Sequence, residues 1–266
     1  MKTIRLLLIL IIAASGLAVN AQTALNYSRP GPMMHIPTPR LYSEPYLLRI
    51  GVAGQSTRGA LESEFFNKGA FLETDITRDF RLGMSAIQSG SNNNEAELAL
   101  HIQNRLLTYG ETAVGIGVND ISFTTGTSDT TDIEERVRNL SYYILLTREN
   151  SFSGYSLKTY LGVGSGRYGS NFGKYDLTVD STTTPFDTVK TAKDNSMGFF
   201  LGLLLNTNIF ADRGGMDFIL EFDGTGINTG IKIPLTQEYK ITLGFSNIQN
   251  LPYLGEDREN PAAVGI

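Results

Sequence analysis

Apolar and polar residues alternate along most of this chain after residue 45. The segment 217–223 shows the pattern clearly, because Phe218, Leu220 and Phe222 share one face while acidic side chains occupy the other. Successive side chains of a strand point to opposite faces, so the alternation predicts strands with one apolar and one polar face. Beyond the N-terminal region, no apolar run approaches the ~20 residues of a membrane-spanning helix. A chain of this kind can enter a membrane only with strands.

The alternation predicts about twelve strands, and the connections between them alternate in length. The predicted strands are 46–54, 68–76, 80–88, 95–106, 112–123, 140–149, 154–166, 196–207, 215–223, 227–233, 239–248 and 261–266. Long connections such as 55–67, 124–139 and 167–195 fall at one end of the strands, and short ones fall at the other, apart from the tight link 224–226. Outer-membrane barrels combine short periplasmic turns with long outer loops, whereas a soluble sandwich has no reason to keep this order. The sequence therefore predicts an all-β fold, an antiparallel transmembrane β-barrel.

The N-terminal region has the layout of a secretory signal. Lys2 and Arg5 precede the apolar run 6–12, and small side chains follow up to Ala21. This order predicts a cleaved signal peptide over 1–21, because the apolar run is too short for a membrane-spanning anchor. Together with the barrel pattern, it places the protein in the outer membrane of a bacterial cell.

Proline dominates the stretch that follows the predicted cleavage site. Its prolines disfavour both helix and central strand, so residues 22–45 are expected to form an extended lead-in. The barrel is then expected to occupy 46–266.

Composition excludes several classes of function. The chain has no cysteine and two histidines, which excludes disulfides, thiolate metal sites and histidine-rich metal sites. Loss of Lys2 and Arg5 with the signal changes the net charge from −5 to −7. An acidic chain of this kind argues against a nucleic-acid partner. We expect no cofactor and no metal.

The polar face of the predicted strands is expected to line the barrel interior, where charges pair with each other or guide a polar solute. The charged residues assigned to this lining are Glu73, Asp75, Arg81, Glu97, His101, Lys158, Glu221, Asp223, Lys232 and Lys240. The apolar face is expected to contact outer-membrane lipid. The chain has no tryptophan, so Tyr142, Tyr143 and Tyr239 are expected to serve in the aromatic girdle at the strand ends.

No catalytic residue is assigned. Residues 164–169 fit the pattern G-x-G-x-x-G, but a phosphate site needs a helix to begin there and a loop follows instead. Paired carboxylates such as Glu221 and Asp223 are better explained as part of an interior charge lattice than as an acid–base pair. His101 could belong to a barrel-borne hydrolase, but no serine motif accompanies it. His35, in the lead-in, is given no role.

Four groups of segments together resemble the YjbH-like outer-membrane proteins linked to exopolysaccharide production. They are Ile36-Pro37-Thr38-Pro39-Arg40, then 97–107 followed by 113–120, then 161–168, and finally 221–224 followed by 227–232. The resemblance covers most of residues 33–250, and family members are usually much longer. It implies an outer-membrane barrel that assists polysaccharide secretion, with polysaccharide and export-machinery proteins as partners. It supplies no catalytic residues.

Three functions are compatible with these sequence features. The first is a non-enzymatic barrel that helps to export or assemble an extracellular polysaccharide. The second is a structural or adhesive surface protein that uses 124–139 and 167–195 as its contact surface. The third is a barrel-borne lipid hydrolase that uses His101. A barrel of about twelve strands is narrow, and the sequence leaves open whether it is an open pore or is plugged by side chains or by the lead-in.

Overall fold

Twelve antiparallel strands close into one barrel in the computed structural model of this chain. The structure describes residues 33–38, 48–56, 66–88, 97–123, 140–169, 175–179, 188–192, 197–253 and 262–266. The barrel strands are β1 (Leu48–Ser56), β2 (Phe66–Asp75), β3 (Phe80–Gln88), β4 (Glu97–Tyr109), β5 (Thr112–Phe123), β6 (Ser141–Phe152), β7 (Tyr155–Gly164), β10 (Gly198–Thr207), β11 (Met216–Phe222), β12 (Ile227–Pro234), β13 (Lys240–Ser246) and β14 (Ala263–Gly265). Two further strands, β8 (Tyr175–Val179) and β9 (Thr188–Ala192), form a separate two-stranded sheet. The predicted all-β barrel is therefore confirmed.

The strands pair with their sequence neighbours all the way round, and β14 closes the barrel between β1 and β13. At this seam the Gly54 N–H donates to the Ile266 carbonyl over 2.8 Å, and the Ile266 N–H donates to the Gly54 carbonyl over 2.9 Å. Closure leaves no open sheet edge around the barrel, which is the condition for a sheet to cross a lipid bilayer.

Connections at the two ends of the barrel differ in length, as the sequence predicts. One end, called the turn end, carries 76–79, 110–111, 153–154, 208–215 and 235–239. The other, called the loop end, carries 57–65, 89–96, 124–140, 165–197, 223–226 and 247–262. The prediction that 167–195 is only loop was wrong, because it contains β8 and β9. In sequence, Tyr175, Leu177 and Val179 alternate with Asp176 and Thr178, but each of the two strands is only five residues long, so the periodic signal is short beside the polar residues around it.

The outer face of the barrel is apolar. All barrel strands except β2 contribute at least one exposed large apolar side chain within the described residues. Val52 is 75% exposed and Phe199 is 59% exposed. A strand of ten residues, at about 3.3 Å per residue and tilted by about 40°, rises about 25 Å, the height of the apolar band of an outer-membrane barrel. This outer face fits a membrane β-barrel protein.

Exposed aromatic residues lie near both ends of the barrel. Tyr109, Phe152, Tyr155 and Tyr239 lie at the turn end, and Tyr142, Phe199 and Phe245 lie at the loop end. The girdle assignment is therefore confirmed in position for Tyr142 and Tyr239. It was wrong for Tyr143, which is buried inside the barrel because neighbouring residues of a strand face opposite sides.

The barrel interior has two unlike walls. The apolar wall, on β6, β7, β10 and β11, consists of Tyr143, Leu145, Tyr160, Phe200, Leu204 and Ile219. The polar wall, on β2 to β5, consists of Glu73, Arg81, Ser85, His101, Arg105 and Asn119. The expectation of a charged lining was therefore correct for only part of the interior.

Residues 33–38, called the plug segment, lie buried inside the barrel. Met33, Met34 and Ile36 pack against the apolar wall and are each 5% exposed or less. Eight strands make an interior that side chains alone just fill, so a twelve-stranded barrel has space left over. The plug segment occupies that space. Of the alternatives that the sequence left open, the structure therefore shows a barrel plugged by part of the lead-in. Among the described residues, no helix is long and apolar enough to cross a membrane.

Candidate functional site

A buried ionic cluster holds the plug segment to the barrel wall. Its members, together called the His35 cluster, are His35, Glu221, Asp223, Asn228 and Ser246. His35 Nδ1 lies 2.9 Å from Glu221 Oε1 and 3.0 Å from Asp223 Oδ2. On the other side of the ring, His35 Nε2 lies 3.2 Å from Ser246 Oγ. One imidazole therefore joins the plug segment to β11, to the turn after it and to β13.

The plug backbone bonds to the same glutamate. The His35 N–H donates to Glu221 Oε1 over 2.8 Å, and the Met34 N–H donates to Oε2 over 3.2 Å. Hydrogen bonds to an ionised carboxylate are among the stronger ones in proteins. Glu221 is 1% exposed, so these bonds do not compete with bulk water.

The tight turn 223–226 positions Asp223. The N–H groups of Thr225 and Gly226 donate to Asp223 Oδ1 over 3.0 and 2.9 Å. Gly224 has φ +98°, a backbone conformation that favours glycine. The other oxygen, Oδ2, is left to accept a 2.9 Å hydrogen bond from Asn228 Nδ2 and to face His35. The turn thus fixes the direction in which this carboxylate points.

The cluster shifts the acid–base behaviour of its members. Burial disfavours charge on His35, but the adjoining carboxylates of Glu221 and Asp223 outweigh it and raise the pKa of His35 from 6.5 to about 9. Burial also opposes ionisation of Asp223, yet the hydrogen bond and charge of His35 lower the Asp223 pKa well below 3.8. A protonated imidazole between two carboxylates is the state that these directions favour.

Two glycines in the wall make room for the plug segment. A Cβ at Gly202 on β10 would overlap the side chain of Ile36 and come 2.8 Å from Met33 Cε. A Cβ at Gly230 on β12 would lie 2.7 Å from Met34 Sδ. Both distances are shorter than ordinary contacts, so a side chain at either position would force the end of a plug side chain to shift.

The polar wall carries ion pairs that do not involve the plug segment. Arg81 NH1 lies 3.3 Å from Glu73 Oε1, and Arg81 Nε lies 3.1 Å from Asp75 Oδ1. Arg105 NH2 donates to Asp79 Oδ1 over 2.6 Å. Pairing of this kind allows charged groups to lie inside a narrow barrel.

His101 is buried beside a bulge in β5. The register between β4 and β5 shifts near His101, and Asp120 in the facing strand has φ +61°. The Asp120 N–H donates to His101 Nδ1 over 3.3 Å, which assigns the ring proton to Nε2, and that nitrogen lies 2.8 Å from Ser85 Oγ. A serine hydrolase needs the opposite tautomer, with Nε2 free to take the serine proton. The bonding of His101 therefore fits a structural role.

Three other predicted lining residues, all lysines, lie near the turn end. Lys240 Nζ lies 2.9 Å from Asp217 Oδ2, and Lys158 Nζ lies 3.5 Å from Glu149 Oε2. Lys232 is half-buried and directly opposite Asp217 in the β11–β12 register. Glu97 begins β4, but its side chain lies outside the described residues.

The structure brings only part of the predicted lining together. Glu221 meets Asp223 in the His35 cluster, while Glu73 and Asp75 meet Arg81 on the other side of the barrel. No role was predicted for His35, which the structure places at the centre of this cluster. Its position among prolines gave no periodic signal, and only the folded barrel places it beside residues 186 and 188 positions further along.

The glycine pattern at 164–169 is not the start of a regular helix. A short 3₁₀ turn, Gly166–Tyr168, follows the end of β7. The Tyr168 ring packs on Tyr143 and Phe200, with ring centroids 5.8 and 5.0 Å apart. Its hydroxyl accepts a 2.8 Å hydrogen bond from Asn119. The segment thus links the apolar wall to the polar wall at the loop end.

Two small cavities lie along the polar wall. The outer one, called the vestibule, opens at the turn end between Asp75, Arg78, Asp79, Arg81, Gln103 and Arg105. The inner one, called the chamber, is bounded by Pro37 of the plug and by Arg81, His101, Gln103, Asn119 and Tyr143. They share Arg81 and Gln103. Within the part of the chain that the structure describes, no cluster of three or more histidine, aspartate or glutamate residues has the arrangement of a metal site.

Comparisons with known proteins add no relative to this picture. No family model, curated protein or solved structure matches the chain.

Proposed function

We propose that this protein is a non-enzymatic outer-membrane β-barrel that assists the export or assembly of an extracellular polysaccharide. The observation that carries the proposal is the combination of an apolar outer face with an interior of paired charges around a segment of the same chain. A water-soluble barrel would reverse this order, because a continuous exposed apolar face is rare in soluble monomers.

Insertion into lipid explains both faces of the barrel at once. Exposed side chains such as Val52, Phe199 and Leu220 find acyl chains in place of water. The buried charges on the inside are kept from the hydrocarbon and are neutralised by partners at hydrogen-bonding distance. Short turns at one end and long loops at the other match a barrel whose turn end faces the periplasm.

The polysaccharide part of the proposal rests on the sequence resemblance. Three of the segments that carry it meet inside the barrel. Segment 36–40 contributes Ile36 to the plug segment, and segment 161–168 contributes Tyr168 to the packing around it. Segments 221–224 and 227–232 contribute Glu221 and Asn228 to the His35 cluster. Segments far apart in the chain thus share one interior site.

The surface-protein alternative keeps one supporting observation. The hairpin of β8 and β9 is a sheet separate from the barrel and belongs to the longest connection at the loop end. A hairpin in that place could contact a surface outside the cell. Loss of adhesion with unchanged polysaccharide after deletion of 175–192 would favour this alternative.

Membrane insertion and polysaccharide export are tested separately. Native protein is expected in the outer-membrane fraction, and its migration in SDS gels is expected to change on boiling, because a closed barrel resists detergent until heated. A folded, monodisperse protein in detergent-free buffer would refute the membrane assignment.

Deletion of the gene is expected to reduce extracellular polysaccharide, and plasmid-borne protein should restore it. Unchanged polysaccharide would refute the export role.

A further inference from the structure

We infer that the plug segment is a displaceable gate: when the His35 cluster releases it, residues 33–38 leave the interior and a water-filled passage opens through the barrel. The inference rests on the membrane-barrel part of the proposed function and does not depend on the identity of the exported polymer.

Among the residues that the structure describes, the polar contacts between the plug and the wall are concentrated at one place. His35 forms ion pairs with Glu221 and Asp223, and the Met34 and His35 amides bond to the same Glu221. Loss of the two carboxylates would therefore weaken this polar anchorage as a unit. A segment woven into the sheet would instead be held by a ladder of backbone bonds spread along its length.

The remaining plug contacts are of a kind that separates easily. Met33 and Met34 have flexible side chains, which fill irregular space without a fixed geometry. They face Gly202 and Gly230, where the wall offers backbone in place of interlocking side chains. Thr38 Oγ1 is buried and has no hydrogen-bonding partner among the described protein atoms. Burial of a polar group in this way disfavours the plugged state.

The rest of the interior keeps its charge balance when the plug is absent. Arg81 pairs with Glu73 and Asp75, and Arg105 pairs with Asp79, all within the wall. Among the described residues, Glu221 and Asp223 are the ones that lose a cationic partner, and they then face water at the loop end. The barrel can therefore persist without the plug.

The cavities show where the passage would run. The vestibule opens at the turn end, and the side chains of Arg81 and Gln103 stand between it and the chamber, since they line both cavities. Pro37 forms one boundary of that chamber. Removal of the plug segment would join the chamber to the space beside Gly202 and Gly230, and so extend the route toward the loop end.

Conductance in planar lipid bilayers tests the gate with paired variants. The double variant Glu221→Gln with Asp223→Asn removes the charges that hold His35. It is expected to open at least about tenfold more often than the wild type, because bonds to charged groups are the strong ones in this anchorage. Asp217→Asn is the matched control, since Asp217 shares the inner face of β11 but pairs with Lys240. Equal opening of the double variant and this control would overturn the inference.

A disulfide lock identifies the moving part. Met34→Cys with Gly230→Cys is added to the double variant, because the Met34 side chain reaches residue 230, with Sδ 2.7 Å from the position that a Cβ takes there. A cysteine is shorter than a methionine, so loss of free thiol on oxidation first establishes that the disulfide has formed. The chain has no cysteine of its own. Oxidation is expected to abolish the current and reduction to restore it. The control pair Val163→Cys with Phe199→Cys joins facing residues of β7 and β10 without touching the plug, and its oxidation should leave the current unchanged.

The outcomes separate this inference from the proposed function. Heat-dependent gel migration first establishes that each variant is a folded, inserted barrel. If current persists after oxidation of the Met34→Cys and Gly230→Cys pair, the plug is not the gate. Absence of current from every inserted variant gives the same conclusion. Gated current with unchanged extracellular polysaccharide in the deletion strain supports the gate and refutes the export role. Lost polysaccharide without gated current supports the export role and refutes the gate.

Discussion

His35 shows how a single side chain can determine the state of a whole interior. The Nδ1 side of its ring faces two carboxylates, which favour the protonated, positively charged ring, while Nε2 faces a serine hydroxyl that can donate or accept. The charged groups facing it are Glu221 from β11 and Asp223 from the turn, and its neutral neighbour is Ser246 from β13. Attachment of the plug should therefore depend on pH.

The sign of that dependence follows from the two shifts. The folded pKa of His35 is raised from 6.5 to about 9, so its contribution is complete below pH 6.5 and is lost as the pH rises through about 9. The Asp223 pKa is lowered from 3.8, so its contribution is present above that value and is lost only in stronger acid. Plug release is expected above about pH 9, measured as bilayer current. His35→Gln should remove the alkaline rise; an unchanged rise would contradict the assignment.

At the scale of single elements, β10 shows how one strand can be apolar on both its outer and its inner face. Its outward residues Phe199 and Leu201 are exposed and apolar, while inward Phe200 and Leu204 belong to the core around the plug. Between them, Gly202 has no side chain and leaves space for Ile36. The sequence of β10 is therefore almost continuously apolar, and Gly202 is the position at which another segment approaches.

Filling the Gly202 position should therefore act on the plug and not on the strand. Gly202→Val is expected to destabilise the plugged state by about 1–3 kcal/mol, the usual range for overpacking, and so to raise bilayer current. Ile36→Ala in the same chain should recover part of the loss, because the added side chain then occupies the vacated space. The measurement is a double-mutant cycle on opening frequency. Additive effects of the two substitutions would show that these positions do not touch.

At the scale of the whole molecule, the apolar outer face restricts most strongly where a charged residue can be placed. In the proposed membrane barrel, a charge placed on this face would lie against hydrocarbon, whereas a charge at the ends or in the interior would find water or a partner. The exposed apolar residues of successive strands form a band, and the exposed aromatic residues border it at both ends. Stability should therefore depend on where round the barrel, and at what height, a charge is placed.

A pair of arginine substitutions tests this dependence. Leu146 lies on the outer face near the middle of β6, and Leu146→Arg is expected to destabilise the barrel in lipid by about 2–4 kcal/mol. Gln237→Arg, in an exposed turn outside the band, is expected to change the stability by less than about 1 kcal/mol. Denaturant titration of the protein in lipid vesicles measures both. Equal effects would mean that the outer face does not contact hydrocarbon.

The connection between sequence and fold is close for strands and weaker for the site. The predicted strand at 80–88 matches β3 residue for residue, and the predicted twelve strands correspond one to one with those of the barrel. Glu221 and Asp223 share a strand face with Asp217, and that local pattern is enough to predict that they point inward. Their partner His35 has no such signal, since no local pattern relates a proline-rich segment to a strand almost two hundred residues away.

Alternation between apolar and polar residues determined the strands, their faces and the alternating connections, because each strand expresses its pattern over a few neighbouring residues. Only the tertiary structure decided that the interior has an apolar and a polar wall, that Tyr143 faces inward, and that residues 33–38 fill the barrel. The reason is distance along the chain: the bonds from His35 to Glu221 and to Ser246 join residues 186 and 211 positions apart. Such contacts exist only after the barrel has closed around the segment.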